Sequence, residues 1–179
     1  MFENHQEEWN KLELAREQFI QHIAQNMYLY GISPSIGRLY GTVLFADKPM
    51  NLDEMSQSLG MSKTSMSTGI RALLEANMVE RVWQKGNRKD LYKPEEDWYK
   101  SFSSVFINRW RSTVDNNLEA LREMRQLLLE LKSSENEFVL QAVETDLDKL
   151  NTAENYYNWL KKVIVLFESE EIYNIVPKE

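Results

Sequence analysis

One short stretch of this sequence is rich in hydroxyl groups and cations, and their spacing suits recognition of a duplex better than it suits a reaction. The run Lys63-Thr64-Ser65-Met66-Ser67-Thr68-Gly69-Ile70-Arg71 reads as helix. Winding it at about 100° per residue puts Thr64, Thr68, Arg71 and Glu75 on one face, with Ser65 and Ser67 flanking it. Met66, Ile70, Leu73 and Leu74 fall on the opposite, apolar face. Short hydroxyl side chains allow close approach to a major groove, and Arg can bond guanine in bidentate fashion. Ser62 can cap this helix. Lys63 stands at its N-terminus, where backbone N–H groups favour a phosphate. A second basic group follows in the turn Gln84-Lys85-Gly86-Asn87-Arg88-Lys89. A hairpin tip carrying Lys85, Arg88 and Lys89 would lie against phosphates or reach a minor groove.

Catalytic chemistry is poorly supplied. The two histidines, His5 and His22, have no metal-ligand spacing, and Cys is absent. There is no G-x-S-x-G elbow and no Gly-rich phosphate loop after a strand. The acids lie on helix faces beside Lys and Arg. No enzyme, no metal and no cofactor are expected.

A further set of residues could bind a small molecule. Trp98, Phe102, Phe106 and Trp110 are each four apart and form one slowly drifting stripe, and Tyr40 lies on an earlier helix. A quaternary ammonium has no hydrogen-bond donor and is held by aromatic faces. Two readings stand: a cage for such an effector, or ordinary core and dimer interface.

Local signals say which elements carry these groups. Asn51 is a good N-cap and Glu54 completes a capping box. Leu52, Met55 and Leu59 give a helical stripe, and Gly60 can end that helix by adopting positive φ. Two helices joined by a three- or four-residue turn with Gly are a helix-turn-helix. Val79 to Trp83 alternates as a strand, and Asp90 to Lys93 can return as the second strand of a wing.

Long helices are expected on both sides. Leu12, Ala15, Phe19, Ile23, Met27 and Tyr30 recur at helical spacing from His5 to Tyr30. Gly31-Ile32-Ser33-Pro34 breaks that helix, and Pro34 suits the first position of the next, which runs to Ala46. Gly37 and Gly41 leave a groove along it, for close helix packing or for a ligand. After Pro94 the pattern predicts a helix over Glu95 to Lys132. A second follows over Glu135 to Phe167, capped by Ser134 with Glu137. The tail is acidic with a few apolar residues, and is either loose or docked on a partner chain.

The expected fold is therefore mainly α: a winged helix-turn-helix with a small β-hairpin wing, flanked by long N- and C-terminal dimerisation helices. Residues 1-32 form the N-terminal dimerisation helix, 33-94 the DNA-binding domain and 95-179 the C-terminal helical dimerisation region. The apolar stripes outside the winged domain exceed what it can cover. A second copy would cover them and present two reading helices to a palindromic site, whereas a monomer would have to fold its appendage on itself.

Charge supports the nucleic-acid reading despite the total. The net charge is −7, yet residues 62–93 hold seven Lys/Arg and three acids, a surplus of four that leaves −11 elsewhere. A basic island on an acidic body directs a duplex to one face. The polar N-terminus is no signal peptide, and the longest apolar run, Val163 to Phe167, is too short to span a bilayer. No membrane partner is expected, and a cytoplasmic location is.

Several blocks together resemble a known family: Gly31-x-x-Pro34-Ser35-x-Gly37-Arg38-x-Tyr40-Gly41, Pro49-x-x-Leu52-Asp53, Ser62-Lys63-x-Ser65-x-Ser67-x-x-x-Arg71-x-Leu73 and Gly86-x-Arg88-Lys89-x-x-Tyr92. Their order and spacing are similar to the GbsR-type branch of MarR-like winged-helix repressors. The resemblance implies a dimeric bacterial repressor whose helix from Ser62 enters the major groove and whose Arg88 reaches the minor groove. Where the wider family often has an Asp before that Arg, Gly86-Asn87 stands here. The resemblance also implies control of genes for choline uptake or glycine betaine synthesis, in some members induced by choline. An effector would bind between the DNA-binding lobe and the dimer helices and change the spacing of the two reading helices. A winged-helix protein-interaction module without DNA binding is the alternative, and would show apolar anchors where Thr64, Thr68 and Arg71 stand.

Overall fold

Caps and glycines divide the first half of the chain. In the computed structural model, which describes residues 2–86 and 88–179 and residues 2–4 as backbone only, α1 spans Phe2–Asn26 and tightens into a 3-10 turn at Met27–Tyr30. Asn87 of the expected wing tip lies outside the described residues. Gly31, at φ 71°, closes the 3-10 turn, and Pro34 begins α2 (Pro34–Leu44). Asn51 caps α3 (Leu52–Leu59) with a complete capping box. Its Oδ1 accepts from Asp53 N at 2.9 Å and Glu54 N at 3.1 Å, and Glu54 Oε2 accepts from Asn51 N at 2.8 Å. Gly60, at φ 63°, ends α3 in the left-handed region. Ser62 then caps α4 (Lys63–Glu75) by accepting from Ser65 N at 3.1 Å.

The wing follows directly. β1 (Val79–Val82) pairs antiparallel with β2 (Leu91–Pro94) in the register Val79–Pro94 to Val82–Leu91. β2 runs one residue later at each end than the sequence suggests, with Pro94 as its last residue, at an edge where no N–H is needed. Met50 extends the sheet by exchanging two bonds with Tyr92, 2.9 and 2.8 Å long. This single bridge ties the turn before α3 to the wing.

The first compact unit reaches to Val105 and the second begins at Phe106. In the first, Leu39, Val43, Met55, Met66, Ile70 and Leu73 are almost wholly buried. Met27, Ile32, Met78, Val79 and Tyr92 join them, and Val105 packs against that cluster from the start of α5 (Trp98–Leu131). The glycine groove of α2 is filled by α1. A Cβ on Gly37 would stand 2.7 Å from Ala24 Cα, and one on Gly41 2.6 Å from Ile20 Cγ2. Helix packing therefore occupies the space that the sequence left open for a ligand.

The second unit pairs the rest of α5 with α6 (Glu137–Glu168). Val114 and Leu118 meet Leu160 and Ile164 in one cluster, and Leu128 meets Val143 and Leu150 in another. Arg125 reaches Asn151 at 2.9 Å and Glu154 at 2.6 Å, and Arg111 pairs with Glu168. The cap of α6 is Asn136, whose Oδ1 accepts from Phe138 N at 3.0 Å. Ser134 accepts from Asn136 N instead, so the expected cap braces the actual one. The tail forms one short helical turn, α7 (Ile172–Ile175).

Candidate nucleic-acid interface

Burial separates the two faces of α4 as the sequence requires. Met66, Gly69, Ile70 and Leu73 are buried. Ser62, Lys63, Thr64, Ser65, Thr68 and Arg71 are exposed, and Ser67 is half-buried. The surface α4 offers is thus short, polar and uninterrupted by a large apolar group. Ser62 and Ser65 hydroxyls lie 2.9 Å apart at its N-terminus. Arg71 folds back along its own helix, with Nε donating to Ser67 O at 3.4 Å, a long bond that a better acceptor can replace.

The helix does not stand alone. Ser33 and Ser35, at the start of α2, line a cleft of about 350 Å³ together with Thr64, Ser65 and Thr68 of α4 and the apolar Ile36, Leu39 and Met61. Gly69 lets α4 approach α2, since a Cβ there would meet Leu39 Cδ2 at 2.7 Å. Sequence reading did not include Ser33 and Ser35 in this face. Their signal, two hydroxyls flanking Pro34, is that of any helix start.

The wing carries Lys85, Arg88 and Lys89, all exposed. At its base Arg81 pairs with Asp90, and Lys93 with Glu80 at 2.7 Å. Trp83, just after β1, is 82% exposed. Lys89 is held by Asp53 at 2.8 Å, and Asp53 also holds Lys63 at 2.8 Å. One carboxylate on α3 thus joins α4 to the wing. Hydrogen bonds from Lys63 and Lys89 pull its pKa down to about 2.

The loop after α4 is fixed from the other side. Asn77 adopts φ 51°, its Nδ2 donates to Ser104 Oγ at 2.8 Å, and its carbonyl accepts from Ser101 Oγ at 2.6 Å. The orientation of α4 is therefore bonded to the first turns of α5 within the same unit.

The chain is similar to known transcriptional regulators. Residues 98–174 match the GbsR family transcriptional regulator, C-terminal helical hairpin. Three relatives from Bacillus subtilis (strain 168) align over nearly the whole chain. The HTH-type transcriptional regulator YvaV is 40% identical over 93% of this chain and 95% of its own length. The HTH-type transcriptional repressor OpcR is 38% identical over 93% and 91%. The HTH-type transcriptional repressor GbsR is 36% identical over 96% of both.

The chain belongs to the GbsR family of transcriptional regulators. It is a regulator and not an enzyme. Among the described residues no group of His, Cys, Asp or Glu could hold a metal ion, and no helix is long and apolar enough to cross a membrane.

In this GbsR-family chain the candidate effector residues are divided between the two units. Tyr40 and Trp98 meet edge-on in the first, 6.5 Å between ring centroids. Tyr40 is buried, and burial with Tyr30 nearby pushes its hydroxyl up to about 12. Trp98 is 50% exposed and Phe102 48% exposed. Phe106 and Trp110 belong to the second unit, 6.4 Å apart, where Phe106 also packs on Phe167 at 4.8 Å.

Proposed function

We propose that this chain is a dimeric repressor that reads a palindromic operator with α4 and grips the flanking backbone with its wing. The observation that carries this reading is the exposed polar face of α4, Thr64, Thr68 and Arg71, flanked by Ser62, Lys63, Ser65 and Ser67 and continued by the wing cations Lys85, Arg88 and Lys89. The names of its relatives, two of them repressors, support the sign of regulation. Apolar side chains exposed on α1 and α6, among them Trp9 and Trp159, support a second copy as the partner.

The salt dependence of duplex binding tests this. Affinity should fall steeply with salt, by about 0.9 in log–log slope for each phosphate neutralised. Arg71→Ala should relax preference for the operator by about 1–3 kcal/mol, because a base contact is lost. Lys85→Ala should weaken all duplexes alike and flatten the slope by about 0.9 for each of the two wings. If both variants bind a natural operator as the parent does, α4 and the wing are not the reading surfaces.

The effector in this proposal is a quaternary ammonium such as choline, and the regulated genes serve choline uptake or glycine betaine synthesis in the cytoplasm. The half-exposed Trp98 and Phe102 are the groups that support it, because a cation needs an open aromatic face. Titration with choline and glycine betaine should change tryptophan fluorescence saturably, while unmethylated ethanolamine should not. No change with any of them, in protein that binds DNA, removes the choline reading.

A further inference from the structure

Asp53 lies at the second position of α3, outside the residues that the sequence assigns to DNA. Its two oxygens have different partners: Oδ1 accepts from Lys63 Nζ and Oδ2 from Lys89 Nζ, each at 2.8 Å. The three residues come from three elements, the start of α3, the start of α4 and the loop before β2. Nothing in the helix-turn-helix itself requires this contact. The core beneath is apolar and already packed, and all three side chains are exposed to solvent.

A carboxylate offers two oxygens side by side, much as a phosphodiester offers its two non-bridging oxygens. Two ammonium groups gathered on the first are spaced for the second. We propose that Asp53 is the resident counter-ion of a phosphate seat: it holds Lys63 and Lys89 together in the free protein, and a backbone phosphate replaces it when DNA binds. This rests on reading α4 and the wing as the DNA-binding face.

Three features fit an exchangeable counter-ion. Asp53 is anionic at any working pH, and the hydrogen bonds from the two lysines lower its pKa further, to about 2. Its backbone is anchored independently of DNA, since its N–H donates to Asn51 Oδ1 at 2.9 Å. The ion pairs are exposed, and exposed pairs exchange partners at small cost. With Asp53 present the cluster carries one net positive charge where two lysines alone would carry two. Random duplex is therefore held less tightly, while groove contacts made by α4 are untouched. Lowering the non-specific term in this way raises the ratio of operator to bulk binding, which decides occupancy in a genome.

A strut that merely fixes the wing would use the same contacts, but it predicts the opposite sign. The test is equilibrium binding of the full chain, Asp53→Asn and Asp53→Ser to a random-sequence duplex over a salt series. Circular dichroism and thermal melts check folding. As a counter-ion, Asp53 gives variants that bind roughly two- to fivefold tighter at low salt. Their log–log salt slope is steeper, by about 0.9 for each of the two reading heads, because each head meets the duplex with one more net positive charge. Adding Lys89→Gln to Asp53→Asn should abolish the gain. Folded variants that bind equally or more weakly, with steep salt dependence intact in the parent, overturn the proposal and leave the DNA-binding reading standing. A parent that binds no duplex even at low salt sinks both.

Discussion

At the scale of single residues, two side chains hold α4 from opposite ends. Asp53 does so by charge, and its titration is directly observable. Its pKa of about 2 lies below the ordinary 3.8, so its ion pairs stabilise the fold fully above about pH 4. That stabilisation is lost as the pH falls through about 2. Water screens so exposed a group, and the effect on overall stability is small. Carboxyl chemical shifts should nevertheless show a midpoint near 2, moving up in Lys63→Gln and again when Lys89→Gln is added. A midpoint at the ordinary value in the parent would mean that the pairs do not form in solution. Asn77 holds the other end by backbone geometry. At φ 51° it occupies a conformation that favours Gly or Asn, and its amide adds the bond to Ser104. Asn77→Gly keeps the conformation and loses the bond, at about 1 kcal/mol. Asn77→Ala adds left-handed strain of about 1 kcal/mol or more. Denaturant midpoints should fall in that order, and equal midpoints for the two variants would remove the backbone explanation.

Among the elements, what was legible from sequence is what rests on neighbours in the chain. Asn51 with Glu54, Gly60 and Ser62 each act within four residues, and they delimit α3 and α4 where the sequence says they should. The face of α4 follows from helical spacing alone. Contacts between distant segments carried no such pattern. Met50 with Tyr92 is a single bridge, and Asp53 with Lys89 spans 36 residues between two exposed charges. Where two caps compete locally, sequence also falls short: Ser134 and Asn136 are both good caps, and the one whose Oδ1 reaches two N–H groups won. Gly37 and Gly41 show a third limit, since a bare groove is the same string whether a helix or a ligand fills it. The packing of α1 on α2 makes a prediction for them. Gly37→Ala sets a methyl against the Ala24 backbone, which cannot swing away, and should cost about 1–3 kcal/mol in denaturant unfolding. Gly69→Ala meets only the tip of the Leu39 side chain and should cost less. The reverse order would show that α1 yields more easily than the core beneath α4.

Across the whole molecule, charge and apolar surface ask for different partners. In the proposed function the surplus of four positive charges at residues 62–93 meets a duplex, while the −11 elsewhere would keep the rest of the surface off it. The apolar surface asks for protein. Phe138 is 84% exposed and Trp159 58% exposed, both on α6, and Trp159 stacks on the exposed Tyr156, an aromatic patch of the kind that marks an interface with protein. Trp159→Glu tests whether that cover is a second copy. Because Trp159 is not in the core of its own chain, the substitution should leave the fold intact and shift sedimentation from dimer toward monomer. A monomer has one reading head, so its salt slope for duplex binding should drop to about half, each phosphate contact contributing about 0.9. Damage to the head itself would change affinity and slope without changing mass. Loss of dimer with the slope unchanged would mean that only one head of the pair touches DNA at a time. A parent that sediments as a monomer at every concentration would assign the face on α6 to some other protein.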